Sequence, residues 1–173
     1  MISPIAKRWL EEGHLHFPSI QYSSILVAVD GSAPSIQATR HAVQLASLTD
    51  ARLTAVFVDY DGEDEIISED RWHRYAELEE EVMYGLAGID AARFMAGERN
   101  VPFKGVFMRG SLTRSILSLA DKERADLIVT GNTGLTGIRH LLLGSFAESM
   151  VKESRIPVLV VKQDSLNIKD GHQ

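Results

Sequence analysis

The 173-residue chain contains no cysteine. That excludes disulfides, thiolate-held zinc, iron–sulfur clusters and a thiol nucleophile, and it removes the usual marker of a small secreted domain. Nor is there a run of about 18 apolar residues that could cross a bilayer as a helix. Lys7-Arg8 is followed by Trp9-Leu10-Glu11-Glu12, where a signal peptide would need an apolar stretch. A cytoplasmic protein without membrane insertion is therefore expected. Basic residues are in deficit: Lys plus Arg number 18 against 24 Asp plus Glu, a net charge of -6. Such a surface repels a phosphate backbone, so nucleic acid is not expected as a partner. Two phosphate-binding fingerprints are also missing. There is no Gly-Lys-[Ser/Thr] P-loop, and Asp30-Gly31-Ser32-Ala33-Pro34-Ser35 stands where a Gly-x-Gly-x-x-Gly would follow the first strand. Rapid phosphoryl transfer is disfavoured on this ground.

What is present describes a globular protein. Apolar residues at 45% and charged residues at 24% suit a single core, and a chain of this length buries roughly 70% of its unfolded surface. Short β-branched runs recur between helical patterns: Ile25 to Val29, Leu53 to Val58, Val101 to Phe107, Leu127 to Val129 and Val158 to Val161. Continuous apolar runs suit strands covered on both faces. The expected fold is thus α/β, a doubly wound parallel sheet flanked by helices, Rossmann-like in architecture. Ligands of such sheets bind beyond the carboxyl ends of the strands, where strand order reverses.

Ser32 and Pro34 supply a capping hydroxyl and a helix-start proline for a helix bearing Ile36, Thr39, Val43 and Ala46. Ser111 opens another with Leu112, Ile116 and Leu119 on one face. The longest crossover, about 70 to 100, keeps helical spacing through Trp72, Tyr75, Leu78, Val82, Leu86 and Ile89. Glu77, Glu79, Glu80 and Glu81 within it read as a solvated face. The acidic stretch from Asp59 to Asp70 reads as a mobile loop. Three regions are expected: an extension over 1–22 with a short helix starting at Ser3-Pro4, the domain over 23–163, and a polar tail over 164–173. The short helix packs on its own domain or uses Trp9 to hold a partner subunit.

One constellation carries chemistry. After the fourth apolar run come Gly131-Asn132-Thr133-Gly134 and, nine residues later, Gly144-Ser145 at a helix start. Glycines after a strand permit positive φ and leave backbone amides open to an anion. A helix start adds orphan amides, the positive end of the dipole and the Ser145 hydroxyl. Together they form a candidate triphosphate cradle; the plainer alternative is a pair of turn glycines and an ordinary helix cap. Asp30, at the end of the first run, is either a ligand for ribose hydroxyls or a base amine, or the anchor of its own turn. Arg139 and His140, between the glycines, either neutralise phosphate or face water.

Residues Gly131 to Lys162, with Leu141-Leu142-Leu143-Gly144-Ser145-Phe146-Ala147-Glu148 and Ile156-Pro157-Val158-Leu159-Val160-Val161-Lys162, closely resemble the C-terminal signature of the universal stress protein family. The start, Ile25-Leu26-Val27-Ala28-Val29-Asp30-Gly31-Ser32, resembles it too. The resemblance implies a five-stranded parallel sheet, frequent homodimers and, in the nucleotide-binding branch, bound ATP. On that basis Gly131, Gly134, Gly144 and Ser145 match phosphate- and ribose-contacting positions, Ala28 and Asp30 lie near the nucleoside, and Val58 offers a backbone contact to adenine. Val29, Ser32, Thr130 and Phe146 complete the implied set. ATP is the implied ligand, with AMP or ADP as alternatives and Mg²⁺ accompanying the nucleotide. The chain departs from the family at Asn132-Thr133-Gly134-Leu135, where many members carry a Ser-His-Gly-Arg-like tetrad, and at Phe146, where a smaller Val is usual.

Three functions compete: a nucleotide-binding regulatory module that is not an enzyme, a slow ATP hydrolase, and a dimerising module with an empty pocket. The last strand, Pro157 to Val161, is expected at a sheet edge. Being apolar and weakly guarded, it invites a symmetric partner copy.

Overall fold

A stripe of short residues on one long helix sets the depth of the fold. The computed structural model describes residues 2–16, 19–60, 63–77, 79–134 and 143–162. Along the chain they form α1 (Pro4–Glu11), β1 (Ser24–Ala28), α2 (Ala33–Thr49), β2 (Arg52–Asp59), β3 (Glu65–Ile67), α3 (Glu69–Ala76), α4 (Glu80–Glu98), β4 (Phe103–Arg109), α5 (Leu112–Lys122), β5 (Leu127–Gly131), α6 (Ser145–Glu153) and β6 (Val158–Val161). The sheet order is β3-β4-β2-β1-β5-β6. All pairings are parallel except β3 with β4. Strand order reverses between β1 and β5, which places the switch point there.

Both faces are covered, as the continuous apolar runs require. In β1, Ile25 and Val27 enter the core with α2, α3 and α4, whereas Leu26 and Ala28 enter the core with α5 and α6. Ile25, Leu26 and Val27 are fully buried, each contributing about 1.5–3 kcal/mol. Register at the bottom of the sheet is pinned by Asp126, whose carboxylate accepts the Ser23 N–H (2.8 Å), the Ser23 hydroxyl (2.8 Å) and the Ser24 N–H (3.3 Å). It sits beside the Ile25–Leu127 pairing of β1 with β5.

Two expectations are corrected. Among the described residues the sheet has six strands, not five, and the sixth is β3, from the acidic stretch read as a mobile loop. Glu65, Ile66 and Ile67 pair antiparallel with Arg109, Met108 and Phe107. Ile67 is buried, and its carbonyl accepts the Trp72 indole N–H at 3.0 Å, which ties α3 to β3. Asp64 bonds the Ser111 N–H and pairs with Arg114 at 3.1 Å. The charges that suggested mobility are thus partly spent on anchoring. The long crossover is also broken in two: α3 ends at Ala76 and α4 begins at Glu80. Leu78 lies outside the described residues, as does the tail from residue 163.

The α1 helix is properly capped. Ser3 Oγ accepts the Ala6 N–H, Pro4 opens the first turn, and Gly13 follows with φ of 78°. None of its residues is buried and Trp9 remains 45% exposed, so the expected packing of this helix on its own domain is not what the structure shows.

On α4, Gly85 lies against the Phe57 ring and Gly88 against Val29 and Gly31, with Ala92 and Ala96 fully buried further along. A Cβ on Gly85 would overlap the Phe57 ring, so Gly85→Ala should cost about 1–3 kcal/mol. That lowers the thermal midpoint by roughly 2–4 °C per kcal/mol. Gly97→Ala, with nothing within 4 Å of the new Cβ, should be neutral or stabilising by up to about 1 kcal/mol. Thermal denaturation of the two variants checks the contrast.

Candidate functional site

A cleft of about 300 Å³ opens at the carboxyl ends of β1, β2 and β5, at the switch point. Its apolar side is made by Ala28, Val56, Val58, Leu112 and Ile116, from β1, β2 and α5. The opposite end is made by Gly131 to Gly134 and by Gly144 to Ala147. The two glycine stretches meet directly: the Gly144 N–H donates to the Asn132 carbonyl at 2.7 Å. Gly144 is the N-cap of α6 and has no side chain to cap it, so the amides of the first turn, from Ser145 to Ala147, stand at the cleft. The Asn132 side-chain oxygen is buried without a hydrogen-bond partner.

Ten of the eleven site residues expected from sequence line this cleft: Ala28, Val29, Asp30, Val58, Thr130, Gly131, Gly134, Gly144, Ser145 and Phe146. Ser32 does not. It is buried and caps α2, its Oγ accepting the Ser35 N–H at 3.3 Å, while its own N–H donates to Asp30 Oδ1 at 2.9 Å. Asp30 therefore answers to both readings offered above. One oxygen holds its own turn, and the other faces the glycines, since a Cβ built on Gly134 would stand 2.8 Å from Asp30 Oδ2.

The glycines act differently from expectation. Positive φ occurs at Gly13, Gly31 and Gly110, not at Gly131, Gly134 or Gly144. Gly131 is needed because a Cβ there would stand 2.9–3.0 Å from the backbone and ring of Pro34, so it lets α2 approach β5. Gly144 lacks a Cβ where one would stand 3.2 Å from the Asn132 oxygen. Close approach of chain segments, and not left-handed backbone, is what glycine supplies here. Leu135, Arg139 and His140 lie outside the described residues.

Sequence reasoning missed Asp59, Tyr60 and Glu81. Asp59, at the end of β2, pairs with Arg109 Nε at 2.9 Å, and the guanidinium lies 5.2 Å from the centre of the Tyr75 ring. Tyr60 follows directly and shares a rim of the cleft with Asp30 and Glu81. The position of Tyr60 just past a strand end was a usable signal; Glu81 had none beyond helical phase. Among the described residues no group of three or more His, Asp or Glu side chains could hold a metal ion, and no helix is long and apolar enough to cross a membrane.

This arrangement, a doubly wound sheet with a glycine-lined cleft and an open helix start at the switch point, defines an α/β domain of the doubly wound class. Residues 21–162 match the universal stress protein family, and the chain belongs to it. Universal stress protein MJ0531 of Methanocaldococcus jannaschii is 36% identical over 143 residues, covering 82% of this chain and 83% of the relative. The solved structure of UspA from Lactobacillus plantarum aligns with a TM-score of 0.65 at 26% identity, over 83% of this chain and 99% of that one. A universal stress protein crystallised in complex with cAMP aligns with a TM-score of 0.61 at 25% identity, over 84% of this chain and all of that one.

Partial desolvation at the rim of the cleft raises the Tyr60 phenol above its ordinary value near 10 although the residue is 68% exposed, and the negative charges of Asp30 and Glu81 add to this. Because the folded value is the higher one, the contribution to stability is whole below pH 10. It drains away as pH rises from the unfolded value through the folded one. Spectrophotometric titration of tyrosinate should show a late-ionising group that Tyr60→Phe removes and Glu81→Gln brings closer to 10.

Proposed function

We propose that this protein is a regulatory module that binds an adenine nucleotide and works as a homodimer in a stress response, without turnover of the nucleotide. The observation that carries this reading is the bond from Gly144 to Asn132. It seats the open start of α6 beside the β5 loop, where amides and helix dipole favour a phosphate. The apolar slot of Ala28, Val56, Val58, Leu112 and Ile116 suits a flat base, and Asp30, which lines the same cleft and faces Gly134, suits a sugar hydroxyl. The relative that holds cAMP supports the same ligand class. ATP fits the reading with ADP or AMP as alternatives. Mg²⁺ would arrive on the phosphates, where it neutralises charge.

The dimer reading rests on β6. This strand ends the sheet, and Val158, Leu159 and Val160 are only partly buried. An apolar, unpaired edge favours a second copy across a two-fold axis.

Nucleotide at about a hundred times its dissociation constant stabilises by roughly 2.7 kcal/mol, so AMP, ADP or ATP should raise the melting temperature by about 5–10 °C. Gly134→Val, which pushes into Asp30 and the phosphate path, should fold and lose the shift. A full shift in that variant would contradict the placement, and steady accumulation of ADP would contradict a pure binder. Sedimentation of the full chain should give twice the 19.2 kDa chain mass.

A further inference from the structure

The α4 helix presents its small residues to the sheet at regular helical spacing: Gly85, Gly88, Ala92 and Ala96. One turn earlier, at the spacing of four that keeps the same face, stands Glu81. The period calls for another small or apolar residue there, yet the helix has by then run past the end of the sheet, and the carboxylate lines the cleft. Glu79, Glu80 and Glu81 are all exposed to solvent, but of the three only Glu81 lines the cleft. The placement of this turn is fixed by close backbone approach. The Tyr84 carbonyl lies so near Gly31 that a Cβ would overlap it, and Gly88 would bring a Cβ to 3.0 Å from the Gly31 nitrogen. Gly31 in turn follows Asp30, so Asp30 and Glu81 are held on one rim by a single contact between helix and turn.

Resting on the nucleotide reading above, the chemistry of that rim follows from what lies on either side. With the base in the apolar slot and the phosphate at α6, the sugar crosses the end of β1 beside Asp30. A ribose offers two neighbouring hydroxyl donors. Asp30 Oδ1 already takes the Ser32 N–H, and a carboxylate is an acceptor only. It matches a hydroxyl and repels a phosphate, which fixes which edge of the nucleotide faces α4. We propose that Glu81 accepts a hydrogen bond from a ribose hydroxyl and makes the site select ribonucleotides over deoxyribonucleotides.

The test is calorimetric titration of the full chain with AMP, 2′-deoxy-AMP and 3′-deoxy-AMP. Hydrogen bonds to charged acceptors support discrimination of about tenfold or more. At least one deoxy analogue should therefore bind about tenfold more weakly than AMP. In Glu81→Ala, AMP should weaken to match that analogue while the analogue itself stays within about twofold of its original affinity. Glu80→Ala, which removes the same charge from the adjacent exposed position, should leave the ratio unchanged. Equal affinities for all three ligands in the unaltered protein, or a preference that survives in Glu81→Ala, would overturn the role of Glu81 and leave the nucleotide reading standing. Absence of any adenylate binding would overturn both.

Discussion

A single backbone hydrogen bond, from the Gly144 amide to the Asn132 carbonyl at 2.7 Å, organises the functional end of this protein. It joins the exit of β5 to the entry of α6, segments separated by a nine-residue excursion, and it fixes where α6 points. Because α6 begins on a glycine with no capping side chain, its first-turn amides are left for whatever enters the cleft. A Ser or Asp at position 144 would satisfy one of those amides internally. The same joint explains why the Asn132 amide is taken up by Val161 of β6: the edge strand and the cleft share one corner of the structure.

The opposite wall depends on close packing more than on hydrogen bonds. The α2 helix approaches β5 through Gly131, and α4 approaches β2 and the β1–α2 turn through Gly85, Gly88 and Gly31. Side chains at these positions would lift the helices from the sheet and carry Glu81 and Ser35 away from the cleft. Fold stability and site geometry therefore share the same residues. The third support, the Asp59–Arg109 pair with Asp64 bonded to Ser111, ties the ends of β2 and β4 together and holds the entry to β3 against the start of α5.

Much of this was legible from the chain. Uninterrupted apolar runs such as Ile25-Leu26-Val27 identify strands buried on both faces, and Ser32 with Pro34 marks the start of α2, because these signals act locally. The glycine pairs line one cleft, but without the positive φ that their local pattern suggests. Their lack of a Cβ serves contact between distant segments, and no local pattern shows that Pro34 will press on Gly131. The β3 strand was hidden because its three residues depend on pairing with β4, some forty residues away, and its acidic neighbours suggested solvent. Glu81 is exposed like Glu77, Glu79 and Glu80, in keeping with one solvated face, but it alone of the four also lines the cleft. Separating it requires the phase of α4 relative to the sheet, which Gly85 and Gly88 set. Ser32, placed among the nucleotide positions by the family resemblance, uses its hydroxyl and amide within the turn.

The claim on which the rest depends is that the open start of α6 and the β5 loop receive the phosphate of a nucleotide. The most direct measurement is a titration of isotopically labelled protein with AMP, followed by the amide resonances. The largest shifts are predicted at Gly131 to Gly134 and at Ser145 to Ala147, with smaller ones at Ala28 to Asp30. Shifts confined to the outer faces of α2 and α4, with the amides of residues 145 to 147 unmoved at saturation, would contradict the account.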